Sequence, residues 1–315
     1  MSKKVLITGA VGMVGQYLVK KCIDRGYFVR ATDIRDNGVF TNICEGHQKQ
    51  FEFVKADLRN FSKCKEVVKD MDVVFHVAGV KGSPKRAMEQ PNDYFTPMLQ
   101  FNTNMMEAAR LEEVEWYVYT STNGVYAPAD RMREDDVWKT FPSDNDKFAG
   151  WAKRIGELQA ECYKVHYGLE NISIVRPANI YGKGDNFGEG SMVIPSIVKR
   201  VCDGEDPLVC WGDGSPIRDF IHASDVADGI LLSYDNKITE PINLGSGEGN
   251  SIRQLVEAIL FTYGKDVSVV WDSTKPNGDP IRLMDTTRAT SYGFSPKITL
   301  HEGIKEIMEY YKETK

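Results

Sequence analysis

The stretch Val5-Leu-Ile-Thr-Gly-Ala-Val-Gly-Met-Val-Gly15 runs from a short apolar strand directly into a helical pattern. Gly9 permits a tight turn, Gly12 lets the backbone approach a pyrophosphate, and Gly15 lets the helix and the strand pack closely. Because the helix N-terminus faces the anion, we predict that this loop, Val14 included, binds a dinucleotide. A glycine triplet alone is also typical of an ordinary strand-to-helix turn.

The carboxylate of Asp33 strengthens this prediction, because it ends the second predicted strand, eighteen residues after the last of these glycines. A carboxylate there accepts hydrogen bonds from both ribose hydroxyls and repels a 2′-phosphate, which favours NAD over NADP. Arg30 and Arg35 lie nearby, and an arginine would instead attract that phosphate. Asp57 and Leu58 follow the third strand and are predicted at the adenine, although an Asp at a strand end is also typical of a turn.

Alternation of strands and helices along the first half predicts an α/β fold with a doubly wound parallel sheet. The predicted strands are Val5–Thr8, Phe28–Asp33, Phe51–Ala56, Val73–Val77, Trp116–Thr120 and Ile172–Val175. The predicted helices include Val14–Arg25, Phe101–Leu111 and Ala149–Tyr167, the last of them after a long polar stretch from Ala127 to Asp146. We predict a cofactor domain over residues 1–175, to which 216–238 returns, and a smaller mixed α/β lobe over 176–315.

Composition excludes several classes of protein. The chain has 315 residues, and its formal net charge of −6 has the wrong sign for a surface that follows nucleic-acid phosphates. Its six cysteines are scattered without metal-ligand spacing, which predicts reduced thiols in a cytoplasmic protein and no metal site. No apolar run approaches the ~20 residues of a membrane span, so neither a membrane nor a nucleic acid is an expected partner.

Several longer segments resemble the extended short-chain dehydrogenases/reductases that act on nucleotide sugars. Besides the glycine loop, these segments are His76–Gly79 and Arg176–Gly182. Within that family the similarity is greatest to GDP-sugar enzymes of the GDP-fucose synthase type, and it is carried by Gly184–Phe187, Val193–Pro195, Trp211–His222 and Lys275–Gly278. The resemblance implies a Rossmann-type sheet, NAD as cofactor, a GDP-linked sugar as substrate, and a homodimer formed through the helices near 101–111 and 149–167.

The family's catalytic groups are a Ser/Thr and a Tyr-x-x-x-Lys, which the resemblance places at Thr122 and Lys153. The Ser/Thr hydrogen-bonds the reacting hydroxyl, the Tyr exchanges its proton, and the Lys binds the nicotinamide ribose. The Tyr position is Ala149, and a shift by one residue gives Phe148, which also lacks a hydroxyl. Two substitutes are open at this point: the hydroxyl of Tyr126, or Lys153 acting through a water if its pKa is lowered.

Other departures from the family pattern exclude two of the reactions that the family catalyses. The epimerising Cys and His of GDP-fucose synthases correspond here to Gly124 and Met192, so 3,5-epimerisation is not expected. The acidic pair of 4,6-dehydratases corresponds to Asn123 and Gly124, so elimination of water is not expected either.

By the same resemblance, four residues are predicted at the substrate diphosphate: Asn179, Arg200, Arg218 and Arg282. Arginine suits this role because its planar guanidinium offers several donors to phosphate oxygens, although Arg200 fits a solvated helix face equally well. Trp211 is predicted to stack on the base or to belong to the core. Lys81 and Ser83 follow the fourth strand and are predicted to contact the sugar, or to form an ordinary loop.

These expectations combine into one predicted activity, which resembles that of bacterial capsule GDP-heptose 4-dehydrogenases: NAD-dependent oxidation of a GDP-hexose or GDP-heptose at carbon 4. The first alternative is a 4-epimerase or 4-keto reductase, which uses the same site. The second is a non-catalytic NAD-binding regulatory protein.

Overall fold

The computed structural model describes residues 2–315, without the side chains of residues 84 and 85. The strands in chain order are β1 (Lys4–Thr8), β2 (Phe28–Asp33), β3 (Phe51–Lys55), β4 (Val73–His76), β5 (Trp116–Thr120), β6 (Ala129–Met132), β7 (Ile172–Pro177), β8 (Asn179–Tyr181), β9 (Leu208–Trp211), β10 (Ile217–His222), β11 (Ile242–Leu244), β12 (Gly249–Ser251), β13 (Val269–Asp272) and β14 (Ile281–Met284). The α-helices are α1 (Met13–Asp24), α2 (Phe40–Ile43), α3 (Phe61–Val68), α4 (Pro84–Glu89), α5 (Phe95–Leu111), α6 (Lys147–Tyr167), α7 (Val193–Cys202), α8 (Ala223–Asp235), α9 (Ile252–Tyr263), α10 (Thr287–Ser291) and α11 (Leu300–Thr314).

The main sheet is parallel, with the strand order β11-β7-β5-β4-β1-β2-β3. Helices α1 and α8 pack in the core on one face, and α3, α5 and α6 pack on the other. The strand order reverses between β1 and β4, and ligands of such sheets bind in the crevice at that point, beyond the carboxyl ends of the strands. The predicted doubly wound α/β fold is confirmed.

The second lobe is built on a mixed sheet, in the order β12-β10-β14-β6, with β8 also paired to β10. Helices α7, α9 and α11 pack together in its core. Sheet membership crosses the predicted boundary at residue 175, because β11 joins the main sheet and β6 joins the second. Helix α8, in the segment predicted to return, packs in the main core.

Two elements near the site differ from the sequence prediction. Strand β6 lies inside the polar stretch 127–146, where its exposed residues carry no local strand pattern and pairing with the distant β14 supplies its partner. Helix α5 begins at Phe95, six residues before the predicted start. Pro97 is compatible with this start because the first four backbone N–H groups of a helix have no partner within it. No described helix is long and apolar enough to cross a bilayer.

Candidate active site

The glycine loop joins β1 to α1 at the crevice. Gly9 has a φ of +64°, and a Cβ at this position would lie 2.6 Å from the Cα of Ala78, while a Cβ on Gly15 would overlap the Gly9 carbonyl oxygen. Gly12 is the N-cap of α1, and its N–H bonds Gly9 at 3.0 Å. The loop therefore needs glycine at these positions for steric reasons, and binding of a pyrophosphate to its backbone stays a prediction. The side chain of Val14 is buried in the main core, so only its backbone is available to a ligand.

Asp33 lies at the carboxyl end of β2 and points back at this loop. It accepts hydrogen bonds from the backbone N–H groups of Val11, at 3.2 Å, and Arg35, at 3.1 Å. A carboxylate has about four acceptor positions, so ribose hydroxyls can still bind. Arg30 donates to Glu52 and lies on the other face of the strand, and therefore does not compete for a phosphate near Asp33. The exposed Arg35 has its Nε 4.0 Å from Asp33.

The segment after β3 forms a surface turn. Asp57 accepts hydrogen bonds from Arg59 Nη2 at 2.6 Å and from its backbone N–H at 3.0 Å, and these bonds lower the pKa of Asp57. Leu58 is buried, and its carbonyl oxygen accepts from the Cys64 thiol and the Asn104 amide. This turn is the alternative that the sequence left open, and contact with adenine stays a prediction.

Lys153 lies on α6, where burial controls its charge. Its ammonium donates to the carbonyl oxygens of Thr120, at 2.8 Å, and Ala78, at 3.3 Å, and lies 5.1 Å from the Tyr119 ring centroid. Burial lowers the pKa of Lys153 to about 7, although the charge of Glu157 acts in the opposite direction. The lowered pKa that the sequence analysis required of Lys153 is therefore present.

Thr122 and Ala149 are the positions at which the family pattern has its Ser/Thr and its Tyr. Thr122 follows β5 and is half-buried, and its Oγ1 accepts from the Gly124 N–H at 3.2 Å. Ala149 lies one helical turn before Lys153 and packs against the small cluster Tyr94, Met98 and Ala152. The exposed Phe148 contacts the Phe95 ring. Neither position holds a phenol.

Tyr126 does not replace the missing phenol, and this prediction is wrong. Its hydroxyl donates to Asn243 Oδ1 at 2.6 Å and accepts from Arg176 Nη1 at 3.0 Å. The residue is 2% exposed, and burial raises its pKa well above the ordinary value. The hydroxyl is thus committed to a buried network and has no path to a substrate.

Arg282 is also placed differently from the prediction. Its guanidinium binds Asp279, at 2.6 and 2.8 Å, and Asp146, so two carboxylates already neutralise it. Arg218, next to it, donates only to the Ile217 carbonyl at 2.8 Å among the described residues. Burial and the charge of Arg282 lower the pKa of Arg218 to about 10, which marks a desolvated cation without a bound carboxylate. Of these two arginines, Arg218 is the one available to a diphosphate.

Arg200 and Asn179 occupy contrasting positions. Arg200 forms a two-pronged ion pair with Glu205 and donates to the Val209 carbonyl at 2.6 Å, so it fastens α7 to β9. This favours a structural role for Arg200, and its contact with the diphosphate stays a prediction. Asn179 begins β8, where its Nδ2 donates to the Asp219 carbonyl at 2.8 Å and holds the side chain at the junction of β8 and β10.

Trp211 and Lys81 are the residues predicted to contact the base and the sugar, and both contacts stay predictions. Trp211 is 53% exposed with Lys275 5.9 Å from its ring centroid, which excludes the core alternative. Lys81 binds Asp185 at 2.8 Å and the Ile180 carbonyl at 3.1 Å, so it links the main sheet to the loop after β8.

Ser83 and His222 have structural partners. Ser83 caps α4, because its hydroxyl accepts from the Arg86 N–H at 3.4 Å, and this favours the loop alternative over sugar contact. His222 bonds Glu306 at 2.6 Å and caps α8, so its side chain has a structural role.

Asp146 is the residue at this site that the sequence analysis missed. It precedes α6, three residues before Ala149, and its Cβ lies 3.1 Å from where a Gly124 Cβ would be. The sequence could have indicated it, because Asp146 is a carboxylate about one helical turn before Ala149, the position where the family tyrosine is missing.

Comparison with known proteins establishes the class of the chain. The model of the NAD dependent epimerase/dehydratase family matches residues 5–245, so the chain belongs to this family of enzymes. GDP-L-fucose synthase 1 of Arabidopsis thaliana is 28% identical over 98% of this chain and 93% of its own length. A putative UDP-glucose 4-epimerase of Methanocaldococcus jannaschii is 29% identical over 98% of each chain.

Solved structures agree with the fold. The UDP-glucose 4-epimerase of Thermus thermophilus in complex with NAD has a TM-score of 0.84 and 25% identity, covering 98% of this chain and 99% of its own. A UDP-N-acetylglucosamine 4-epimerase of Methanobrevibacter ruminantium has a TM-score of 0.89 at 23% identity, covering 100% and 99%.

NAD is the cofactor of this enzyme, and the residues present fit it. The open backbone at Gly12 and the Asp33 carboxylate with free acceptor positions match a pyrophosphate and a ribose. The names of these relatives refer to nucleotide sugars, a GDP-sugar in one and a UDP-sugar in the other.

Proposed function

We propose that this enzyme oxidises a GDP-linked hexose or heptose at carbon 4 to a 4-keto nucleotide sugar, in the synthesis of capsule or surface polysaccharide precursors. The observation that carries the proposal is the pair Thr122 and Lys153 at the crevice, combined with Asn123, Gly124 and Met192 at the positions of the groups that other family reactions need. Hydride transfer at carbon 4 is the reaction that makes the smallest demand on the remaining side chains.

Each residue of the site has a defined task in this reaction. Bound NAD supplies the hydride acceptor. Thr122 hydrogen-bonds the reacting hydroxyl through Oγ1. Two N–H donors of the Lys153 ammonium bind carbonyl oxygens, and the third donates to the nicotinamide ribose. Arg218 binds the diphosphate, because a desolvated guanidinium without a carboxylate partner gains most from an anion.

The preference for a GDP-sugar rests on similarity and on the second lobe. The long ordered segment Trp211–His222 resembles that of the GDP-fucose synthase type. The matched relatives include one protein named GDP-L-fucose synthase and three named as putative or probable GDP-L-fucose synthases. The exposed ring of Trp211, beside Lys275, offers a flat surface for a base at the end of β9, directly before the loop that leads to Arg218.

A panel of GDP- and UDP-sugars tests the proposal. We expect NADH to accumulate with one GDP-sugar and the product to be a 4-ketone. Reduction of the ketone with borodeuteride places deuterium at carbon 4, which mass spectrometry detects. The matched control is the UDP-sugar of the same configuration, which should react at least about tenfold more slowly because base contacts contribute on the order of 1–3 kcal/mol. If none of the GDP-sugars causes NADH to accumulate, the proposal is overturned.

The names of the matched relatives favour a 4-epimerase or 4-keto reductase as the second candidate function. Several matched proteins are called 4-epimerases or reductases, and their reactions use hydride transfer at the same carbon. For a 4-epimerase we expect the epimeric sugar without net NADH. The remaining alternative, a regulatory NAD-binding protein, predicts that no nucleotide sugar changes the redox state of bound cofactor and that Lys153→Ala changes no activity.

We also propose a cytosolic homodimer. All six cysteines are free thiols, which suits a reducing compartment. The outer face of α6 carries exposed apolar residues at helical spacing, which suits a second copy of the chain.

A further inference from the structure

One departure from the family pattern, Gly124, lies against the side chain of Asp146, and the other, Ala149, follows Asp146 by three residues. A Cβ on Gly124 would lie 3.1 Å from Asp146 Cβ, 3.3 Å from Asp146 Cγ and 3.5 Å from Thr122 Cγ2. The carboxyl group of Asp146 therefore fills the space that a side chain at position 124 would need. Glycine at 124 leaves room for the side chain of Asp146, while alanine at 149, three residues further along the chain, carries no phenol.

The carboxylate is held on one side and free on the other. Asp146 Oδ2 binds Arg282, and Arg282 is fixed in turn by Asp279, which Ser143 bonds at 2.7 Å. Oδ1 of Asp146 has no hydrogen-bond partner in the part of the chain that the structure describes, and the side chain is 25% exposed. A carboxylate fixed through one oxygen presents the other in a defined direction.

The side chains of Asp146 and Thr122 both border the space in which a Gly124 side chain would lie. The contacts around Gly124 place Asp146 Cγ and Thr122 Cγ2 within about 7 Å of each other, a gap that one hydroxyl hydrogen-bonded to both side chains spans. Other titratable groups of this region are occupied or enclosed. Glu157 binds Arg176 and Ser121, and Lys153 is enclosed with two of its donors on carbonyl oxygens.

We propose that Asp146 is a catalytic residue that replaces the missing tyrosine as proton acceptor, an inference that rests on the proposed oxidation. The O–H bond of the carbon 4 hydroxyl breaks and its proton goes to Asp146 Oδ1. The C–H bond at carbon 4 breaks with its electron pair, which passes as hydride to NAD, so the alcohol becomes a ketone and NAD becomes NADH. The proton then leaves Asp146 through its exposed edge to water.

Asp146→Asn tests this step, because asparagine keeps a hydrogen bond to Arg282 but cannot take a proton. We expect kcat to fall about 10²–10⁴-fold, with KM and NAD affinity changed less than about threefold. Asp279→Asn is the matched control, because it removes the charge of the other carboxylate of Arg282, while its amide oxygen can still accept from Arg282 or Ser143 and the carboxylate of Asp146 is kept. A merely structural role for Asp146 predicts equal losses in the two variants, and equal losses overturn the inference.

Chemical rescue supplies a second readout. In Asp146→Ala, formate can occupy the vacated space and accept the proton, so we expect formate to restore kcat by at least about tenfold, whereas it should not stimulate Asp279→Ala. Absence of rescue in an Asp146→Ala protein that still binds NAD and the GDP-sugar contradicts the role of Asp146.

The wild-type enzyme separates this inference from the proposed function. If wild type forms no NADH with any nucleotide sugar, the proposed oxidation fails and the inference fails with it. If wild type forms NADH and Asp146→Asn does so at a similar rate, only the inference fails.

Discussion

At the scale of single residues, burial lowers the pKa of Lys153, a property that the residue type alone does not show. Burial lowers the pKa of its ammonium to about 7 from 10.5, so between these values the unfolded chain binds a proton that the folded chain does not. The free energy of unfolding therefore rises with pH across that window. Lys153→Met cannot titrate, and we expect wild type to gain roughly 2 kcal/mol more than this variant between about pH 7 and about pH 9. Urea unfolding of the cofactor-free proteins measures the difference, and parallel pH curves would contradict it.

At the scale of elements, one buried ion pair couples α6 to β7. Glu157 accepts two hydrogen bonds from Arg176, at 3.0 and 2.6 Å, and both side chains are at most 2% exposed. Removing one charge leaves the other buried without a partner, so Glu157→Leu should lower the free energy of unfolding by about 3–5 kcal/mol. Glu170→Leu removes an exposed ion pair with Lys164 and should cost less than about 1 kcal/mol. Denaturant unfolding checks both, and similar losses would contradict the account.

At the scale of the whole molecule, the outer face of α6 predicts an assembly. Its exposed apolar side chains and exposed thiol follow one another at intervals of seven, three, four and three residues: Phe148, Ile155, Leu158, Cys162 and Val165. Because such a stripe matches a helix-packing seam, we expect wild type to be a dimer of the 35.5 kDa chain and Leu158→Glu to be a monomer. Phe261→Glu, at an exposed position on α9, should leave the dimer intact. Light scattering after size exclusion measures the masses, and a monomeric wild type would refute the prediction.

The fold class and the cofactor site were predictable from local sequence. Apolar runs, helical spacing and the glycines of the first loop act over a few residues, so they placed β1, α1 and β2 and put Asp33 at the edge of the sheet. Resemblance added Thr122, Lys153 and the vacancy at Ala149, because these depend on motif position alone.

Residue identity could not show how side chains pair across the fold. The sequence marks Arg200, Arg218 and Arg282 alike as cations, yet Glu205 neutralises the first, Asp146 and Asp279 neutralise the third, and the second is left without a carboxylate. The exchange of β6 and β11 between the two sheets is decided in the same way. Local pattern sets which element forms, because its hydrogen bonds and apolar face are short-range. The charge that a buried group keeps depends on which distant partner it meets, and that meeting exists only after the chain has folded.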